Sequence, residues 1–367
     1  MLEKITLENY KNFIKLELNE LKRVNFIAGQ NNIGKTSILE SIFLFYDRGA
    51  PDVFFKLIAL RGIPAFELTP NNLWIPYFNN LDTSKVMRIE VNESGHISEA
   101  TYKHIKSNTQ SLSIDNYSAP NYNNVSWGNI QTSQNKNNLS DSLVCNYKEK
   151  KPSLLSLGET QFSIDGGQLN LNFKDFKNPN KRVTFVLSSN KGASQADAER
   201  IGKIDIEQGL DKIIRYLQVI DSSIKSLSIV LQAQQPIIYC DTGLQRKVPL
   251  SLMGEGVSKL LSIIAAILTT QSGIVCIDEI ENGIHYSLFP DVMKIIVEAA
   301  KENNCQIFIT THSNDVLKGL HIASKEDPSV EKNISFYRID KKNDKVMPKH
   351  YTSSMLFSAI DRDWEVR

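Results

Sequence analysis

The run Val24-Asn25-Phe26-Ile27-Ala28-Gly29-Gln30-Asn31-Asn32-Ile33-Gly34-Lys35-Thr36-Ser37 decides how the rest of the chain is read. An apolar strand, Val24 to Ala28, enters a loop spaced Gly-x4-Gly-Lys-Thr. A helix then begins at about Lys35, with Ile38, Leu39, Ile42, Phe45 and Tyr46 at helical spacing. Strand, glycine loop and helix in that order are what a phosphate-binding loop requires. The glycines let the backbone wrap phosphate closely. The amides of Asn32 to Thr36 point inward, and the helix N-terminus adds positive potential. In this reading Lys35 reaches the β- and γ-phosphates, and the Thr36 hydroxyl ligates Mg2+. Gly29, Asn31, Asn32, Gly34 and Ser37 complete the binding candidates of the loop.

Two later segments fit the same chemistry. Ile274-Val275-Cys276-Ile277-Asp278-Glu279 is an apolar strand ending in two acids. Asp278 is placed to hold Mg2+, and Glu279 to polarise an attacking water as a general base. Gln306-Ile307-Phe308-Ile309-Thr310-Thr311-His312-Ser313 is the next buried strand, and its His312 is placed to sense a γ-phosphate. An acidic pair or a lone histidine means little alone. Behind a phosphate loop and in this order, the two gain weight together.

The 367 residues suffice for a substantial core, and a net charge of +1 gives no support to a strongly basic nucleic-acid binder. Lys148, Lys150 and Lys151, and Lys177, Lys181 and Arg182, are local basic clusters that read first as solvated loops. Cys145, Cys240, Cys276 and Cys305 have neither CxxC nor zinc-like spacing and read as reduced thiols of a cytoplasmic protein. The N-terminus lacks the apolar core of a signal peptide, and Leu260 to Leu268 is too short to span a bilayer.

The chain divides into residues 1–48 (N-terminal strands and phosphate loop), 49–200 (a mainly β lobe with a variable insert) and 201–367, within one head. Around Asn9-Tyr10-Lys11-Asn12, alternating Ile5, Leu7, Phe13, Leu16 and Leu18 predict two strands and a turn. Gly166-Gly167 reads as a hairpin turn between strands at 160–164 and 169–173. Residues 196–219 read as helix, as do 257–269 and 287–301, with strands at 185–187, 237–240, 274–277 and 306–310 between them. That alternation predicts an α/β fold with a parallel-sheet core, an N-terminal antiparallel β lobe and no long coiled coil.

In combination these segments resemble the ABC-type ATPases of the RecF, SMC and OLD group, and among them the short-insert AAA15-type class. The resemblance rests on Leu2–Phe13, the GQNNIGKTS loop, PLSLMGEGVSKLL, and IDEIENGIHYSL followed by QIFITTHSND. The middle third carries none of it. It implies a P-loop ATPase head that binds ATP and Mg2+ and pairs with a second copy of itself. The signature segment, with Gly254, Glu255 and Gly256, would face the nucleotide of the partner. Gly254 stands where many relatives have Ser, which leaves backbone amides and Lys259 as donors. Glu281 to His285 matches the segment that crosses between subunits. Gln161 is a candidate for the Q-loop glutamine, and Tyr10 and Phe13 for adenine stacking.

The resemblance also implies a regulatory ATPase of a bacterial anti-phage defence system, acting with a separately encoded nuclease or toxin. The segment after His312 is expected to be too short for a Toprim nuclease, and Asp361 and Asp363 read as a solvated turn rather than a metal site. The alternative is a RecF-like DNA-repair or DNA-binding ATPase; a scaffold without turnover is a third class. The missing LSGGQ-type signature argues against a transporter motor, and the missing NKxD-type segment against a GTPase.

Overall fold

Alternation in the first twenty residues builds a hairpin: β1 (Leu2–Tyr10) pairs antiparallel with β2 (Phe13–Leu18), closed by the Tyr10–Phe13 rung. Leu7, Phe13, Leu16 and Leu18 are all buried, as the alternation requires. A computed structural model of the chain describes residues 1–63, 65–106, 116–118, 141–151, 154–165, 168–175, 181–188, 195–342, 345–362, 364 and 366. Gly166, Gly167, Lys177 and Asp363 lie outside the described residues, as do the side chains of Lys150 and Lys151.

The chain forms two units. The first comprises Met1–Glu20, Asn32–Asn180 and Asp340–Pro348. Here β1 and β2 join β5 (Met87–Glu93), β6 (His96–Ile105), β8 (Ser142–Lys151), β9 (Leu154–Asp165) and β10 (Gln168–Lys174). They make one antiparallel sheet of order β10-β9-β8-β6-β5-β1-β2. A small ladder pairs β4 (Ala65–Glu67) with β7 (Asn116–Ser118). The helices are α1 (Lys35–Tyr46), α2 (Val53–Leu60) and the short α3 (Pro70–Leu73). Phe54 of α2 meets Phe162 of β9 edge-on at 5.3 Å, so aromatic packing joins helix to sheet. The described residues within 49–200 also include a helix with a buried face, α2, which sequence periodicity did not announce.

The second unit comprises Leu21–Asn31, Lys181–Ile339 and Lys349–Arg367. Its central sheet has the order β11-β15-β16-β3-β17-β18, from β3 (Val24–Gly29), β11 (Val183–Val186), β15 (Ile274–Ile277), β16 (Gln306–Thr311), β17 (Ile334–Lys342) and β18 (Lys345–Tyr351). The pairs β11–β15, β15–β16, β16–β3 and β3–β17 are all parallel. Every residue of β3, β15 and β16 is buried, the near-continuous apolar reading of a sheet covered on both faces. A smaller sheet holds β12 (Ser226–Gln232), β13 (Gln235–Asp241) and β14 (Val248–Pro249).

The helices of this unit are α4 (Gln195–Ile206), α5 (Leu210–Leu217), α6 (Glu255–Leu268), α7 (Phe289–Glu302), α8 (Asn314–Glu326), α9 (Pro328–Asn333) and α10 (Ser353–Asp361). The single helix expected over 196–219 is two. Gln208 takes a left-handed φ of 58°, and the Gly209 N–H donates 2.8 Å back to the Ile204 carbonyl, which ends α4. Asp361, expected on a solvated turn, ends α10 and accepts from His321 of α8 at 2.9 Å. Among the described residues no helix exceeds 14 residues, and none is long and apolar enough to cross a membrane. No disulfide joins the four buried cysteines.

Asn25, the second residue of β3, is polar and fully buried. Its side chain accepts from the Lys22 N–H at 2.8 Å and donates to the carbonyls of Lys22 and Ile307 at 2.7 and 3.1 Å. It therefore pins the β3–β16 register. Asn25→Ala strands these groups in an apolar interior. The expected cost is about 1–3 kcal/mol, read as a lower urea midpoint with an unchanged slope.

Candidate functional site

Parallel strands place their C-terminal ends at one edge of the sheet, where α/β proteins hold ligands. Ala28 pairs with Thr311, and Ile277 with Ile309. One step past these rungs stand Gly29, His312 and Asp278, so register alone gathers the opening of the glycine loop, the acidic pair and the histidine.

Side-chain bonds fix the detail. The Thr310 hydroxyl donates to Asp278 Oδ1 at 2.6 Å and accepts the Glu279 N–H at 2.9 Å. The Asp278 N–H donates to the Val186 carbonyl at 3.0 Å. Glu279 has a left-handed φ of 45°, a costly conformation for a residue with a side chain. It turns the chain off the strand end, and Asn282 Nδ2 holds Glu279 Oε2 at 2.9 Å. Glu281 Oε1 accepts the His312 N–H at 2.6 Å and lies 2.8 Å from His312 Nδ1.

The signature segment lies in the same unit. The N-cap of α6 is Gly254, an exposed residue. At Gly256 an added Cβ would meet the Gly283 carbonyl oxygen at 2.8 Å, and at Gly283 one would meet Glu255 Cβ at 2.8 Å. The start of α6 therefore touches the segment after Glu279 backbone to backbone. Lys259 was expected among the donors to a partner's nucleotide. Its side chain instead turns into its own chain. It is 3% exposed, and Nζ donates to the carbonyls of Leu187 and Asp278 at 2.7 and 3.2 Å. Burial pushes its ammonium down to about 8, against the opposing pull of Asp278, Glu281, Glu279 and Asp197. His285 is exposed and accepts the Ser287 N–H at 3.4 Å.

The phosphate loop crosses into the first unit between Asn31 and Asn32. Lys35, Thr36 and Ser37 form the first turn of α1, whose N-cap Gly34 has a φ of 105°. A Cβ at Gly34 would lie 2.7 Å from Phe13 Cζ. Beside it Asn12 Nδ2 donates to the Asn32 carbonyl at 3.2 Å, and Lys11 and Arg61 bind the buried Glu40 of α1. The β1–β2 turn thus braces the loop from below. That placement corrects the expectation for Tyr10 and Phe13: both are fully buried and present no face to an adenine. Gln161 sits within β9, paired with Val144 and Asn172.

Mg2+ takes hard oxygens, with one or two from protein and the rest from water and substrate phosphate. In the second unit Asp278, a carboxylate already oriented by Thr310, is a donor of that kind, and in the first unit Thr36 offers a hydroxyl on the first turn of α1. Among the described residues no group of three or more His, Cys, Asp or Glu is arranged to hold a metal alone. Thr310, Glu281 and Asn12 were given no bonding role from sequence, Glu281 being named there only as the start of a segment expected to cross between subunits. Only the Thr-Thr before His312 and the second Glu after Asp278 hinted at the first two.

A family model described as AAA ATPase domain matches residues 1–317. An ATP/GTP phosphatase of Helicobacter pylori is 25% identical over 341 residues, covering 89% of each chain. A DNA replication and repair protein RecF of Rickettsia prowazekii is 51% identical over 45 residues, 12% of each. Among solved structures, an SMC head bound to the C-winged helix domain of ScpA covers 98% of this chain and 99% of its own, at 12% identity and TM-score 0.47. The chain belongs to the AAA ATPase domain family, and ATP hydrolysis is the activity that membership carries.

Gly34→Ala adds both a strained φ and a clash with the Phe13 ring. It is expected to weaken binding of a fluorescent ATP analogue by about 5–150-fold, since such backbone strain costs on the order of 1–3 kcal/mol. A second expectation concerns pH. Folded Lys259 releases its proton near 8, but the unfolded side chain holds it to about 10.5. Between these values the unfolded state binds more protons, so this residue makes stability rise with pH there. Lys259→Met should flatten that part of a urea-midpoint profile.

Proposed function

We propose that this chain hydrolyses ATP at composite sites formed by two copies of itself. The observation that carries the reading is the sheet register that sets Gly29, Asp278 and His312 at one edge. Lys35, with the amides of Asn32 to Thr36, holds the terminal phosphates. Gly29, Asn31, Gly34 and Ser37 shape that cradle. Thr36 and Asp278 would hold Mg2+, which when bound would neutralise charge on the phosphate oxygens.

Glu279 takes the proton of the attacking water. Its turned backbone and the Asn282 bond limit where the carboxylate can point. His312 donates to the γ-phosphate. The exposed Gly254 and Glu255, with Gly256, present the N-terminus of α6 to the nucleotide of the second copy, where its amides favour negative charge. Lys259 takes no part in that contact and serves inside its own chain. ATP closes the pair and hydrolysis releases it.

The biological reading is a regulatory ATPase of an anti-phage defence system that acts through a separately encoded nuclease or toxin. It is supported by the resemblance to stand-alone heads of this class. A stable complex with a neighbouring gene product would support this reading. DNA binding that weakens steeply with salt would move the chain to the RecF-like class.

Glu279→Gln keeps the shape and removes the base. Turnover is expected to fall by about 10²–10⁴-fold, while ATP-dependent dimers live longer in sedimentation or light scattering. Unchanged phosphate release together with unchanged association would refute the proposed site.

A further inference from the structure

We infer that Glu281 is the positioning residue of His312: its carboxylate orients the ring and so decides which ring nitrogen meets the substrate. The inference rests on the ATPase reading above and deepens it.

The geometry is specific. One oxygen, Glu281 Oε1, accepts the backbone N–H of His312 at 2.6 Å and lies 2.8 Å from its ring Nδ1, an ion-pair contact rather than an aligned hydrogen bond. The backbone bond fixes where the residue starts, and the carboxylate oxygen beside Nδ1 favours the ring rotation that keeps that nitrogen next to the charge. Glu279 is the competing carboxylate, but its Oε1 lies 3.9 Å from the same nitrogen, and its Oε2 is held by Asn282. The segment that carries Glu281 is itself constrained. The Asn282 N–H donates to the Glu279 carbonyl and the Ile284 N–H to the Glu281 carbonyl, each at 3.2 Å.

Burial makes the pairing more than a surface contact. The Glu281 side chain is 10% exposed, and Glu281 Oε2 is buried with no hydrogen-bond partner among the described residues. A carboxylate in that setting is costly unless its charge is used. With Oε1 facing Nδ1, the ring carries a proton on Nδ1 and turns Nε2 away from the carboxylate, where a second proton lets it donate to the γ-phosphate. A carboxylate behind a functional histidine fixes tautomer and orientation in this way. The two residues then act as one device, with His312 touching substrate and Glu281 acting only through it.

A double-mutant cycle tests this on the full chain with ATP and Mg2+. The variants are Glu281→Gln, His312→Ala and the pair, followed by kcat, KM and melting temperature. Glu281→Gln is expected to lower kcat by about 10–100-fold, the usual cost of losing an orienting partner. KM should stay within about threefold, since substrate contacts are kept. In the His312→Ala background the same change should cost nothing further in kcat.

Additive losses, or a raised KM at constant kcat, would overturn the inference and leave the ATPase reading intact. Unchanged kcat in His312→Ala would overturn the role of His312 itself. A second readout does not depend on a variant of Glu281. Nitrogen-15 spectra of the histidine rings, with the His312 signals identified by their loss in His312→Ala, should show its proton on Nδ1. A proton on Nε2 with a bare Nδ1 refutes the proposal even if Glu281→Gln fails to fold.

Discussion

One hydroxyl holds the two acidic residues in place. Thr310 Oγ1 gives its proton to Asp278 and takes the amide proton of Glu279, so a neutral side chain on β16 sets both a carboxylate and the backbone turn that follows it. This works only because β15 and β16 are parallel and in register. An antiparallel neighbour would bring the start of a strand, not its end, to the same edge. The left-handed backbone at Glu279 has the same origin. The chain must leave the sheet within one residue of the last rung, and the energy stored there is opposed by the buried bonds on either side.

Polar braces of this kind recur beneath the functional segments. The β1–β2 turn supports the glycine loop with a phenylalanine ring under Gly34 and an amide on the Asn32 carbonyl. Lys259 ties α6 to the carbonyls that end β11 and β15. Arg23 reaches the carbonyls of Ala300 and Cys305, each at 3.2 Å, where α7 meets β16. Each brace costs the desolvation of a polar group and returns a fixed backbone in a place that is otherwise loop.

The glycine loop, the Asp278–Glu279 strand and the His312 strand were legible because each carries a periodic apolar run ending in unusual residues. The hairpin at Asn9–Phe13 was legible for a related reason, alternation interrupted by turn formers. What escaped were roles set by direction rather than by type. A lysine at the fifth position of α6 looks like a donor on paper; only packing tells that Lys259 faces inward. Tyr10 and Phe13 looked available for stacking because sequence does not say which side of a hairpin is covered. The break between α4 and α5 was hidden because the apolar stripe continues through it, and a left-handed Gln208 leaves no compositional mark. Helix α2 was obscured by a sequence too apolar all round to show a stripe.

The pairing of β3 has a consequence for how the chain is made. Asn25 bonds Ile307 across 282 residues, and β3 has only β16 and β17 as neighbours. At synthesis rates of about 5–20 residues per second, an all-buried strand waits roughly 15–55 s on the ribosome before its first partner exists. Until then the glycine loop has no fixed entry, and six residues of sticky backbone, β3, stand open to wrong partners. Such an order of assembly favours slow, late closure of the central sheet. The last segments to be made thus decide when the first apolar strand is covered.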